Sequence, residues 1–178
     1  MTVRDSLRKI GTSLLRTAAR SARSPEPGTR RPAPRSVARR PYPGDFHGDV
    51  EPEYAPRADG EADPGEVVWA WVPYEEDHTR GKDRPVLVVG HDGPLLLALM
   101  LTSKDHDRDA ADEARWGRRW MDVGTGGWDP QRRPSEVRLD RVLRLDVGSV
   151  RREGCRLDRA IFDQVVQELS RLRGGGDR

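Results

Sequence analysis

The chain holds a single cysteine, Cys155. It can therefore form no internal disulfide and no cysteine-rich zinc site, which fits a reducing cytoplasm. It also lacks any apolar run near the roughly 20 residues needed to cross a bilayer. The N-terminus is basic, but its only apolar stretch, residues 10–15, is interrupted by Gly11, Thr12 and Ser13. That makes a poor secretory signal, so a cytoplasmic protein with no membrane partner is expected. Hydrophobic residues are scarce too: 34% of the 178 residues, against 35% charged, with 14 Pro and 18 Gly breaking up the rest. A chain of this size and polarity has room for one ordinary domain, and part of it should stay unfolded.

The net charge of +2 conceals a strong segregation. Residues 1–40 carry eleven Lys or Arg against two acids, and their Pro/Arg-rich end buries nothing, so they are expected to form a disordered basic tail. Within the tail, residues 3–22 read at most as a weak amphipathic helix. Residues 41–64 reverse the sign, with seven acids against Arg57 alone, and read as an acidic, unstructured linker; only Tyr42, Phe46 and Tyr54 argue against dismissing it. From Gly65 onward the balance is even, with 20 basic and 21 acidic residues. Any nucleic-acid site there must come from the placement of individual arginines rather than from net charge.

Order is expected to begin at Gly65 and to run to Arg173, followed by a glycine-rich tail at 174–178. Val67-Val68-Trp69-Ala70-Trp71-Val72 is β-branched and aromatic and closes on Pro73, which reads as a strand. Pro85 to Gly90 gives a second, more buried strand, and Leu95 to Leu101 a third; the His91-Asp92-Gly93-Pro94 turn between them implies an antiparallel hairpin. Trp120 to Val123, Glu136 to Leu139 and Val142 to Leu145 supply further short strands. The chain closes with an amphipathic helix. Asp158 is its N-cap, Leu157 and Phe162 are spaced as a hydrophobic staple, and Ile161, Phe162, Val165, Val166, Leu169 and Leu172 form its stripe. About five strands and one helix in some 110 residues suggest a mainly β small barrel with the helix packed across it.

Four blocks resemble the MazF/PemK family of type II toxin–antitoxin endoribonuclease toxins. They are the strand beginning Gly-Glu-Val-Val-Trp, the run Arg84-Pro85-Val86-Leu87-Val88-Val89, Leu101-Thr102-Ser103 ending the third strand, and Val137-Arg138-Leu139-Asp140. The resemblance covers about Gly65 to Leu172. It implies an SH3-like barrel, usually a homodimer, that cuts single-stranded RNA without a metal or other cofactor and is neutralised by a cognate antitoxin. By motif, Arg84 and Thr102 match catalytic positions of the MazF branch. His78, Thr102, Ser103, Arg138 and Asp140 match the active-site set of the PemK-like branch. Two departures stand out, the long N-terminal extension and a Trp/Arg/Gly-rich insertion at 105–134.

The chemistry asked of these residues is coherent in its own right. Metal-free RNA cleavage uses the 2′-hydroxyl as nucleophile, so one group must take its proton and another must protonate the leaving 5′-oxygen. Asp140 suits the base, and Arg84 and Arg138 suit the charge that builds on phosphorus. Arginine is a poor acid, which leaves His78 to share the proton transfer. Thr102 and Ser103 offer hydroxyls to phosphate or base, while Trp116, Trp120 and Trp128 offer stacking platforms. Each has a plainer reading: Arg138 and Asp140 lie on one strand face and can simply pair, and tryptophans are more often core. Asp105-His106-Asp107, with Asp109 and Asp112, reads as a solvated acidic turn, and Gly124-Thr125-Gly126-Gly127 as a flexible one. The alternative to an RNA-cutting toxin is a non-catalytic barrel that binds nucleic acid or a protein partner, including a DNA-binding regulator acting through the basic arm.

Overall fold

A computed structural model describes residues 41–104 and 115–174, with the backbone alone at 152–154, and all of them lie in one compact unit. The expected basic tail with its weak helix, the acidic turn at Asp105 to Asp112 and the glycine tail after 174 fall outside the described residues. Among the described residues are seven strands, a short 3-10 turn at Val147–Ser149 and the long C-terminal helix. The strands are β1 (Glu66–Pro73), β2 (Gly81–Asp92), β3 (Leu95–Thr102), β4 (Trp120–Gly124), β5 (Ser135–Arg138), β6 (Leu143–Asp146) and β7 (Val150–Arg156). The helix, α1, spans Arg159–Gly174.

All pairings are antiparallel, in the order β4-β5-β3-β2-β1-β7. One edge of β3 is shared: its first half pairs with β6 (Leu96 opposite Leu145) and its last two residues pair with β5 (Leu101 opposite Val137). Register shifts between Val88 and Gly90, between Val67 and Ala70, and between Asp122 and Gly124 mark bulges. Bulges bend strands and raise their twist, so the sheet curls into a half-barrel instead of lying flat.

The curl gives the sheet two buried faces, which explains why β2 and β3 read as continuous apolar runs instead of alternating ones. One face, with Val67, Leu87, Val89, Leu97, Leu99 and Leu101, packs on the helix through Phe162, Val165 and Leu169. The other carries Val68, Ala70, Val86, Val88, Ala98 and Met100, closed by Leu143 and Leu145. The helix starts as its sequence implies, with the Asp158 carboxylate accepting from Ala160 N–H at 2.8 Å.

The acidic run differs from expectation. Residues 41–64 are strapped onto the sheet rather than left as an unstructured linker. Phe46 N–H donates to Val142 O at 2.8 Å, and Glu53 N–H donates to Val89 O at 3.0 Å. At Gly90 a Cβ would stand 2.6 Å from Glu51 O, so only glycine lets the strap cross β2 that closely. Tyr54 sets its ring edge-on to Phe162, with centroids 5.1 Å apart, and its hydroxyl donates to Leu157 O. Arg144 donates to the carbonyls of Pro43 and Gly44, and Arg173 to those of Phe46 and Gly48. The three aromatics supply burial that net charge hides, and basic side chains from the barrel satisfy the strap's backbone.

Leu169 lies at the centre of the helix–sheet contact and is almost fully buried. Leu169→Ala should lower unfolding free energy by about 2–5 kcal/mol, the range for a leucine cavity in a packed core. Urea denaturation followed by circular dichroism measures it; a loss under about 1 kcal/mol would mean that the helix is not seated as described.

Candidate functional site

The second core face ends where its apolar rows give way to polar side chains. Val86 sits opposite Met100. Two residues further along each strand, on the same face by the two-residue period, stand Arg84 and Thr102. Trp120, the first residue of β4, faces Arg138, the last of β5. These ends bound a cavity of about 270 Å³ whose cationic wall is Arg84, Lys104, Arg118, Arg138 and Arg141. Glu75 and Glu76, from the loop joining β1 to β2, are the carboxylates lining it. Five cations against two carboxylates give the lining residues a positive balance.

Arg138 is the centre of the arrangement, its side chain only 7% exposed. Its Nε donates to Asp140 Oδ2 at 3.0 Å and its Nη2 to the same oxygen at 2.6 Å. Its other edge donates from Nη1 to Glu75 Oε2 at 2.9 Å and from Nη2 to Glu75 Oε1 at 2.8 Å. Asp140 is fixed from behind, since its Oδ1 accepts from Arg119 N–H at 2.7 Å. Burial works against the charge on Arg138, but its hydrogen bonds to Asp140 and Glu75 outweigh it and hold its pKa above the ordinary value. In return the Arg138 guanidinium holds the Glu75 carboxyl below the usual range.

Arg141 makes the second buried pair. Its side chain is 4% exposed; Nε donates to Asp45 Oδ2 at 2.9 Å and Nη1 to Pro73 O at 2.9 Å. Asp45 belongs to the strap, and its Oδ1 also accepts from the Tyr42 hydroxyl. The strap thus supplies the counter-charge for an arginine of the cavity wall. Burial tends to raise the Asp45 pKa, yet the hydrogen bonds from Arg141 and Tyr42 hold it below the ordinary carboxylate value. Among the described residues no carboxylate pairs with Arg84 or with the ammonium of Lys104. Thr102 Oγ1 accepts from Lys104 N–H at 3.1 Å, which leaves its hydroxyl proton free to donate.

The structure brings Arg84, Thr102, Trp120 and Arg138 together on the cavity wall; Asp140 contacts Arg138 without itself lining that wall. Ser103 is exposed beside Thr102, and Trp116 stands 78% exposed ahead of β4. His78 lies outside the wall, its ring edge-on to Tyr42 with centroids 4.9 Å apart. Trp128 is not a stacking platform. It is 3% exposed, its indole N–H donates to Ser135 Oγ at 3.0 Å, and its ring lies over Gly126, where a Cβ would come within 2.0 Å. Gly126 therefore makes room for a core tryptophan. Glu75, Lys104, Arg118 and Arg141 join the site without a spacing signal to announce them. For Glu75 and Arg141 the only hints were the charged loop before Arg84 and the basic residue after Asp140.

Residues 63–172, which contain the whole sheet and most of the helix, match the family model described as PemK-like, MazF-like toxin of type II toxin-antitoxin system. The chain belongs to that family. It is also similar to a solved MazE-MazF (Form-II) structure from Deinococcus radiodurans, with a TM-score of 0.46 and 21% identity over 65% of this chain and 98% of that one. Comparison with curated proteins finds no match. The strap with Tyr42 and Asp45 precedes the stretch matched to the PemK-like model, whereas every residue of the cavity wall lies inside it. No helix among the described residues is long and apolar enough to cross a membrane.

Asp45→Asn should cost about 3 kcal/mol at pH 7, because it leaves a buried guanidinium without its counter-charge. A carboxylate whose folded pKa is depressed stabilises above its unfolded value and loses that contribution as pH falls through the folded one. The gap between wild type and Asp45→Asn should therefore close between about pH 5 and pH 2. Denaturant titrations across that window check it; a gap independent of pH would contradict the pairing.

Proposed function

We propose that this protein is an endoribonuclease toxin that cuts single-stranded RNA by attack of a 2′-hydroxyl on the adjacent phosphate, without a metal. The observation that carries the reading is the cationic cavity built around Arg138, Arg84 and Thr102 in a chain of the PemK-like toxin family. Arg138 and Arg84 bind the phosphate and stabilise charge on the phosphorane, and Thr102 donates its hydroxyl proton to a phosphate oxygen. Asp140 is the base. Its Oδ2 sits 2.6 Å from the guanidinium that would hold the phosphate, so a 2′-hydroxyl beside that phosphate meets an acceptor. His78 is the acid of the set, and its part in protonating the 5′-oxygen requires it to exchange its contact with Tyr42 for one with substrate. Trp120, on the cavity wall, offers an unpaired base a stacking surface.

An acidic segment of a cognate antitoxin is the partner chemistry that such a wall fits, and a homodimer is the assembly we propose. Incubating long single-stranded RNA with the protein in EDTA should yield fragments ending in a 2′,3′-cyclic phosphate or a 3′-phosphate. Asp140→Asn should reduce the rate by about 10²–10⁴-fold, the span of general-base catalysis. RNA that is bound but left intact by the wild-type protein would instead favour a non-catalytic binding barrel.

A further inference from the structure

Arginine presents two bidentate edges, one through Nε and Nη2 and the other through Nη1 and Nη2. In Arg138 both are occupied. The two occupants are not equivalent. Asp140 holds the Nε edge from two residues further along its own chain, and is itself tied to Arg119 N–H. Its side chain is 20% exposed. Glu75 holds the Nη1 edge from a separate loop, and its side chain is 41% exposed. That loop is pinned at its base by Tyr74 N–H donating to Arg80 O at 2.9 Å, and its Glu75 lines the cavity. Glu75 Oε2 is also 3.9 Å from Arg118 Nη2, so its carboxylate lies between two guanidiniums of the wall.

A carboxylate paired oxygen for nitrogen with the Nη1 edge of a buried arginine, with a second arginine alongside, occupies a place that also suits a phosphodiester. Two oxygens of a phosphate make the same parallel pair of hydrogen bonds. We infer that Glu75 is a displaceable occupant of a phosphate seat formed by the Nη1 edge of Arg138 and by Arg118, and that substrate phosphate enters by exchanging with it. This rests on the reading of the cavity as an RNA site and adds to it the seat and the residue that guards it. Guarding has two physical effects. It keeps the guanidinium paired while the cavity is empty, and it makes every anion compete with a tethered carboxylate, so weak or singly bonded anions are disfavoured. Glu76 lines the same cavity and makes no ion pair with Arg138 among the described residues, which makes it the natural control.

The test uses full-length wild type, Glu75→Gln and Glu76→Gln, each shown by circular dichroism to be fully folded at the titration temperature. Two probes are titrated: inorganic pyrophosphate, and a fluorescein-labelled 2′-O-methyl RNA hexamer that cannot supply the nucleophile. Glu75→Gln should bind both about fivefold more tightly, the scale of one half-exposed ion pair, while Glu76→Gln changes less than about twofold. Equal tightening by both variants would reduce the effect to charge alone and overturn the seat. Unchanged or weaker binding by a folded Glu75→Gln would overturn it too. RNA cleavage is followed in parallel. If wild type cuts RNA and Glu75→Gln does not bind more tightly, the seat is wrong and the nuclease reading stands. If wild type leaves RNA intact but Glu75→Gln tightens pyrophosphate about fivefold, the seat stands and the nuclease reading falls. A Glu75→Gln that keeps wild-type affinity for the hexamer yet cuts RNA more than a hundredfold slower would make Glu75 the proton acceptor and not an occupant.

Discussion

A guanidinium that is 7% exposed cannot stand without anions beside it, and much of the site follows from how Arg138 meets that demand. Taking an ion out of water costs several kcal/mol even after the protein relaxes, and the cost is recovered only through well-directed partners. Arg138 meets the demand with two carboxylates, Asp140 on Nε and Nη2 and Glu75 on Nη1 and Nη2. One comes from its own chain two residues on, the other from the loop between β1 and β2, 63 residues away. The loop is thereby fixed over the cavity, and Arg119 at the entry to β4 is tied in through Asp140. Replacing Arg138 would therefore disturb shape as well as charge, and a phosphate brought to it arrives at donors already aligned.

The same economy of charge recurs in the strap. Arg141 is also buried, and its counter-ion comes from Asp45, before the stretch shared with the toxin family. The chain thus uses part of its own extension to complete a wall that the PemK-like domain alone would leave with an uncompensated cation. The aromatic contact between Tyr42 and His78 couples that extension to a residue expected in proton transfer. A segment that looked like a spacer by composition is part of the structure that shapes the site.

How much of this could be read in the sequence depended on the range of the interaction. β2 and β3 were legible because two buried faces give unbroken apolar runs, and the helix because Asp158 and its stripe are local signals. Arg138 with Asp140 was legible as a pair because the two stand two residues apart, although β5 ends at Arg138 and Asp140 lies in the bend that follows it. β7 was not, because its Arg151-Arg152-Glu153-Gly154 stretch has no alternation and its pairing to β1 is irregular. Trp128 was grouped with Trp116 and Trp120 as a stacking platform because an indole in sequence suits a base or a core equally; the packed structure sets its ring over Gly126. Glu75 and Asp45 were out of reach. Each meets its arginine across more than 60 residues, and no period or motif encodes such a contact.

Arg138 is the residue we propose to hold the phosphate of a single-stranded RNA. A crystal structure of the full chain with a 2′-O-methyl RNA hexamer tests it most directly. The account predicts a phosphate about 3 Å from Nη1 and Nη2 of Arg138, with Asp140 still on the Nε edge and Glu75 turned away. RNA bound elsewhere on the surface, with the Glu75–Arg138 pair intact, would contradict it.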